Sequence, residues 1–164
     1  MPTTLKQAFA IRHGEVISLV GGGGKTTLMF ALAQELASVG EPVLTTTTTK
    51  ISEPLPSQTP RLLVERDEEK MLWLLIDVFS RYRHVTLASE RMALGKLNGV
   101  SPELKESPGQ ARIVPLINKV DLSGTLPKAR NLATEILAMK HPQLSRVVLG
   151  QAQLREPVLE VIET

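Results

Sequence analysis

The sequence has no cysteine, which excludes disulfides, thiolate catalysis and Cys-based metal sites. Aromatic residues are only 3% of it, leaving Leu, Val, Ile and Ala to build a core. Long hydrophobic runs are missing too. The longest apolar stretch, Met71 to Phe79, is broken by Asp77 and is too short to span a bilayer, so no membrane partner is expected. The opening Met-Pro-Thr-Thr-Leu-Lys-Gln lacks the apolar centre of a secretory signal, and the expected location is cytoplasmic. No charge of one sign dominates: 19 Lys and Arg against 17 Asp and Glu give a formal +2 and a pI near 9.0. The basic residues are scattered, so no nucleic-acid partner is expected. His13, His84 and His141 lack metal-ligand spacing, and each is expected at the surface or at a helix end. With 164 residues, 42% hydrophobic and 22% charged, the chain suits one soluble domain over residues 1–164.

What is present is concentrated in one stretch, Val16-Ile17-Ser18-Leu19-Val20-Gly21-Gly22-Gly23-Gly24-Lys25-Thr26-Thr27. Val16 to Val20 reads as a buried strand. Gly21, Gly22, Gly23 and Gly24 let backbone N–H groups converge on an anion with no Cβ in the way. The stripe Leu28, Leu32, Leu36, Val39 then predicts an amphipathic helix whose N-terminus points at the same anion. Lys25 is placed to reach terminal phosphates and is the one catalytic candidate, and the Thr26 hydroxyl is placed to ligate Mg²⁺. The usual phosphate-loop spacing would put its first glycine at Leu19. The shorter G-x-x-G-K-T-T from Gly21 to Thr27 is similar in spacing to that of Mur-type ligases and some accessory NTPases.

Downstream, a short helix is expected within Leu5 to Ile11 before the loop, and Gly40 is expected to end the loop helix as a left-handed cap. Pro42 to Thr46 and Leu62 to Val64 read as strands, with a proline-rich loop, Ser52 to Pro60, between them. The tract Thr45 to Thr49 either suits a strand and its solvated end or brings hydroxyls to the carboxyl end of a strand, where ligands sit in open α/β sheets. From Asp67 the residues Met71, Leu74, Leu75, Val78, Phe79 and Tyr82 follow helical spacing, with Trp73 expected to serve packing. His84 to Ala88 returns as a strand, Arg91 to Leu97 is ambiguous, and residues 101–111 are turn material and the place for a shortened insertion. Arg112 to Ile117 reads as a strand despite Pro115. A helix from about Leu126 to Met139, with Leu132, Ile136 and Leu137 inward, precedes a last parallel strand, Arg146 to Leu149. Leu154 to Ile162 is ambiguous. Strands alternating with helices predict an α/β fold: a mainly parallel sheet with helices on both faces.

A second chemical signal closes the strand before residue 118. Asn118-Lys119-Val120-Asp121 has the N-K-x-D form of a guanine-reading loop. Asp121 would accept from the guanine N1–H and N2–H₂ edge, the Lys119 stem would cover the base, and Asn118 would tie this loop to the phosphate-loop side. Adenine leaves such a carboxylate unpaired, at about 1–3 kcal/mol. Asn118 and Asp121 as turn and cap residues are the simpler alternative.

Taken in order, these residues resemble the selenium-dependent molybdenum hydroxylase accessory proteins, YqeC-like. The resemblance rests on Val16 to Leu28, Val43 to Thr48, Lys96 to Glu103, Val114 to Asp121 and Arg146 to Gly150. It implies a P-loop NTPase-like fold and an accessory role in maturing a molybdenum hydroxylase, with that enzyme or its maturation factors as partners, while the two motifs themselves point to GTP or ATP with Mg²⁺ as cofactors. One departure stands out. Between Glu103 and Ile113 the sequence lacks the family's strand ending in Glu-Ala-Asp-Gly-Ala and the Pro-Leu-Lys-Ala-Pro and His-Glu-Pro segments that follow it. That strand would hold the Walker B-like carboxylate; Asp77 and Glu90 are the substitutes the chain offers. Two other readings stand beside this one: an ATP-dependent ligase or kinase with a Mur-type short loop, and a degenerate scaffold that does not hydrolyse nucleotide.

Overall fold

Asp67 precedes a run of helically spaced apolar residues, and in the computed structural model of the protein its carboxylate accepts from the Lys70 amide at 2.8 Å and caps the helix. The structure describes residues 3–21, 23–100, 114, 116–118, 125–140, 144–151 and 157–164. Two compact units divide the chain: Met29–Ser107, and Met1–Leu28 with Pro108–Thr164. The elements are α1 (Leu5–Ala8), α2 (Lys25–Ser38), β1 (Val43–Thr46), β2 (Ile51–Ser52), β3 (Leu62–Val64), α3 (Glu68–Phe79), β4 (His84–Ala88), β5 (Glu90–Met92), β6 (Lys96–Asn98), β7 (Leu116–Ile117), α4 (Thr125–Ala138), β8 (Arg146–Gly150) and β9 (Val158–Glu163). Gly40 lies at φ +86 beyond α2, where the Glu41 amide reaches back to the Leu36 carbonyl at 3.1 Å, the expected left-handed cap.

In the Met29–Ser107 unit, β4 is the axis. It pairs in parallel with β1 on one side, Val43 opposite His84, and with β3 on the other, Leu62 opposite Thr86. All five of its residues are buried, as a strand covered on both faces requires. Met71 and Val78 of α3 pack with Leu63, Val85, Leu87 and Val100 into one core. Each such side chain contributes about 1.5–3 kcal/mol by leaving water. The ambiguous Arg91 to Leu97 segment is a hairpin: β5 and β6 pair antiparallel, and β2 joins the other side of β6. Just beyond it the Val100 amide donates to the Thr47 carbonyl at 3.2 Å. A Cβ on Gly99 would lie 1.7 Å from that carbonyl oxygen, so only glycine lets the two segments cross this closely.

His84 differs from expectation here, and the threonine tract follows the first of its two readings, a strand and its solvated end. His84 is 2% exposed, with Nε2 3.0 Å from the Thr45 hydroxyl, which lies 2.8 Å from the Thr86 hydroxyl. The Phe30 ring stands 6.2 Å away, and Nδ1 has no hydrogen-bond partner among the described residues. Alternation of β4 turns His84 and Thr86 to one side, where Thr45 of β1 joins them. The Thr46 hydroxyl donates to the Leu87 carbonyl at 3.0 Å, and that of Thr47 to the Thr49 carbonyl at 2.9 Å. These three hydroxyls are engaged by their own fold.

The second unit packs α4 on a mixed sheet, β7 parallel and β9 antiparallel to β8. Its buried face is Ala129, Ala133 and Leu137 against Val147 and Leu149, with Ile136 partly buried. Leu132, expected inward, is exposed, because two alanines a turn apart bring the helix close to the sheet along a different stripe. Arg146 donates from Nη1 to the carbonyls of Gln7 and Ala8 at 3.1 and 3.2 Å and pairs with Glu163 at 2.5 Å. It thereby adds a donor to carbonyls at the end of α1, where the Gln7 carbonyl also accepts from the Ala10 amide at 3.1 Å.

Two larger expectations fail. Val16 to Val20 forms no strand; Val16 and Val20 are 66% and 89% exposed. No strand among the described residues pairs with this run, and unpaired amides stay in water. The α/β class holds, but in place of one mainly parallel sheet the described residues form three three-stranded sheets, one parallel, one antiparallel and one mixed. Of the strand expected over Arg112 to Ile117, Leu116–Ile117 is seen, and residues 101–113 and 115 lie outside the described residues. Arg146–Gly150 is the last parallel strand, as expected, and an antiparallel strand, β9, follows it, beginning at Val158 inside the ambiguous Leu154 to Ile162 stretch.

Gly99→Ala should lower the free energy of unfolding by about 1–3 kcal/mol in urea, because a carbonyl on the main chain cannot move aside as a flexible side chain can. Burial pushes the His84 pKa below its ordinary 6.5. The unfolded chain therefore takes up a proton at His84 before the folded one does. Stability from this group is complete above pH 6.5 and falls as the pH drops below it. Urea midpoints should decline from pH 7.5 to about pH 5.5, and His84→Asn should lack this part of the slope.

Candidate phosphate-binding loop and its asparagine neighbour

Backbone conformation singles out the glycine run. Gly21, Gly23 and Gly24 have φ of +127, +127 and +72, a region side-chain-bearing residues rarely adopt. A Cβ on Gly21 or Gly23 would meet nothing within 4 Å, so the loop stands open to solvent there. Gly24 begins the helix: its carbonyl accepts from the Leu28 amide at 2.9 Å. The amides of Lys25, Thr26 and Thr27 then have no acceptor within the helix, and no acidic residue in the first turn offsets the positive end of the dipole. Such a helix start suits an anion. Thr26 is exposed and Thr27 half-buried. Lys25 is exposed, and its Nζ donates to the Gly21 carbonyl at 2.5 Å, arching back over the loop.

Asn118 comes from the other end of the sequence. β7, paired with β8, delivers it to the loop: a Cβ on Gly24 would lie 2.6 Å from Asn118 Nδ2. Gly24 is thus doubly constrained, by its backbone and by the amide against it. The two sequence signals, read separately, meet at this pair. Gly22, Lys119, Val120 and Asp121 lie outside the described residues.

The substitute carboxylates belong to the Met29–Ser107 unit and are each held by an arginine: Asp77 by Arg81 at 3.0 Å, Glu90 by Arg66. Trp73, expected to pack inward, is 69% exposed on α3. Among the described residues no group of His, Cys, Asp and Glu is placed to hold a metal ion, and no helix is long and apolar enough to cross a membrane. Sequence reasoning had no means of finding the Lys25–Gly21 contact, because any carbonyl of the loop could serve and only the glycine torsions select one.

The geometry defines an α/β protein with an open glycine loop leading into a helix and an asparagine seated against the last glycine. The chain belongs to the YqeC protein family, whose model matches residues 17–160. That membership fits an accessory role toward a selenium-dependent molybdenum hydroxylase, with a hydroxylase-related partner. No curated protein and no solved structure matches the chain.

Gly24→Ala should destabilise the protein by about 1–2 kcal/mol from the left-handed backbone alone, plus a clash with Asn118. In an Asn118→Ala background the clash disappears. A double-mutant cycle in urea should show coupling of about 1 kcal/mol between the two positions, whereas additive effects would place the asparagine away from the loop.

Proposed function

We propose that the chain is a nucleotide-binding accessory protein of P-loop NTPase-like fold, taking GTP or ATP with Mg²⁺ in the cytoplasm. Its nucleotide state would gate contact with a selenium-dependent molybdenum hydroxylase or its maturation factors. The observation that carries this reading is the meeting of Gly24 and Asn118, which brings the glycine loop and the start of the N-K-x-D segment together. The open glycines and the unoffset helix start fit a phosphate group.

In this reading the backbone of Gly21, Gly22, Gly23 and Gly24 holds the phosphates, together with the amides of Thr26 and Thr27. Lys25 leaves the Gly21 carbonyl, its present acceptor, for the terminal phosphates. The exposed Thr26 hydroxyl is the protein's ligand for Mg²⁺, which neutralises phosphate charge. Asn118 braces the loop, the Lys119 stem covers the base, and Asp121 reads its edge. The chemistry proposed is positioning and charge neutralisation, with water as the attacking group in any hydrolysis.

A non-hydrolysing scaffold is the second reading, favoured by the unpaired Val16 to Val20 run that should support the loop. Calorimetric titration with GTP and ATP, each with and without Mg²⁺, tests the binding on which the first reading stands, and phosphate release tests turnover. The expected result is Mg²⁺-dependent binding with a Kd in the micromolar range, weakened at least about 100-fold by Lys25→Ala, which is about 2.7 kcal/mol. Preference for GTP would support Asp121 as the base reader. Heat changes absent for both nucleotides would leave the scaffold.

A further inference from the structure

Helix α3 carries apolar side chains on more than the one face its own core covers. Met71 and Val78 are buried in its own core, with Leu74, Leu75 and Phe79 partly so, while Leu72, Trp73 and Ile76 are exposed, Ile76 at 67%. A helix with one covered face needs only one apolar stripe, and a second stripe implies a second cover. The three exposed side chains lie within little more than one turn, so they form one patch.

Charge says what covers it. The start of α3 carries Asp67, Glu68 and Glu69, with Lys70 paired to Glu65, and its end runs into Arg83, with Arg81 paired to Asp77. A partner of one charge sign, or an anionic membrane, would match one end and be repelled at the other. A second copy of the same helix, laid antiparallel, matches both, setting each acidic start beside the other's basic end. The helix dipoles then also oppose favourably. Beside Trp73 lies an open groove of about 700 Å³ lined by Glu65, Asp67, Glu69, Lys70, Trp73 and Leu74. Lys70 is already paired with Glu65 at 2.7 Å, so the groove keeps acidic groups next to an indole face. An arginine entering it finds carboxylates and a cation–π surface together.

We propose that α3 is the interface of a symmetric homodimer, two copies crossing antiparallel about a two-fold axis with the Leu72, Trp73 and Ile76 patches in contact. The interface is isologous, each surface meeting itself, as in most closed dimers. It stands on α3 alone and does not depend on nucleotide binding.

Sedimentation velocity on the full chain from about 1 to about 100 μM tests it. The expected result is a monomer–dimer equilibrium, accompanied by a blue shift in the emission of Trp73, the only tryptophan, as concentration rises. Ile76→Glu should leave a monomer at every concentration with red emission. Should that variant unfold, the charge pair decides: Glu69→Arg and Arg83→Glu should each weaken dimerisation about tenfold, and the two together should restore it. A wild-type monomer throughout the range overturns the proposal. So does a dimer that a folded Ile76→Glu leaves intact, or charge reversals that weaken association without mutual rescue.

Discussion

An extended segment becomes a strand only when a neighbour takes up its amides, and the architecture of this protein follows from where that condition is met. β4 meets it twice, paired to β1 and β3, and every one of its side chains is buried. Val16 to Val20 has an equally good strand composition and meets it nowhere among the described residues. Composition proposes a strand and pairing decides it. The glycine loop consequently hangs from an exposed, unpaired run on one side and from α2 on the other, so its shape rests on its own torsions, on Lys25 and on Asn118.

The same economy governs the polar groups inside the parallel sheet. Thr45, Thr86 and His84 are buried together because strand alternation and the parallel register place them side by side. Sharing hydrogen bonds makes that burial tolerable, since an unpaired polar group in the interior is expensive. Burial lowers the His84 pKa and so favours the neutral imidazole. Threonines that look, in the sequence, like candidate ligands thus serve the register of the sheet. Gly99 plays the matching role outside the strands, allowing the Lys96 to Val100 segment to lie against the turn at Thr47. Two segments that carry the family resemblance are therefore joined to each other.

Exposure carries information at α3 because it is paired with charge. Isolated apolar side chains on a surface are ordinary, but a contiguous patch between an acidic and a basic end is a self-complementary surface. The family's accessory role concerns another enzyme; a dimer would present that enzyme with two equivalent sites and would place the single tryptophan out of water.

Local chemistry was enough to read several features in advance. The cap and period of α3, the existence of α4, the glycine cap after α2 and the strands at 43, 62, 84 and 146 all follow from short-range propensities, which act within a few residues. Family membership was legible too, because it rests on ordered segments along nearly the whole chain. Other outcomes depended on distant partners. Whether Val16 to Val20 pairs, which stripe of α4 meets β8, whether Trp73 and His84 face water or core, and which carbonyl Lys25 takes are settled by neighbours remote in sequence or by loop torsions. The amide of Asn118 lies against Gly24 because β7 and β8 carry it there. The residue types were written in the sequence, and their meeting was decided by the ladder.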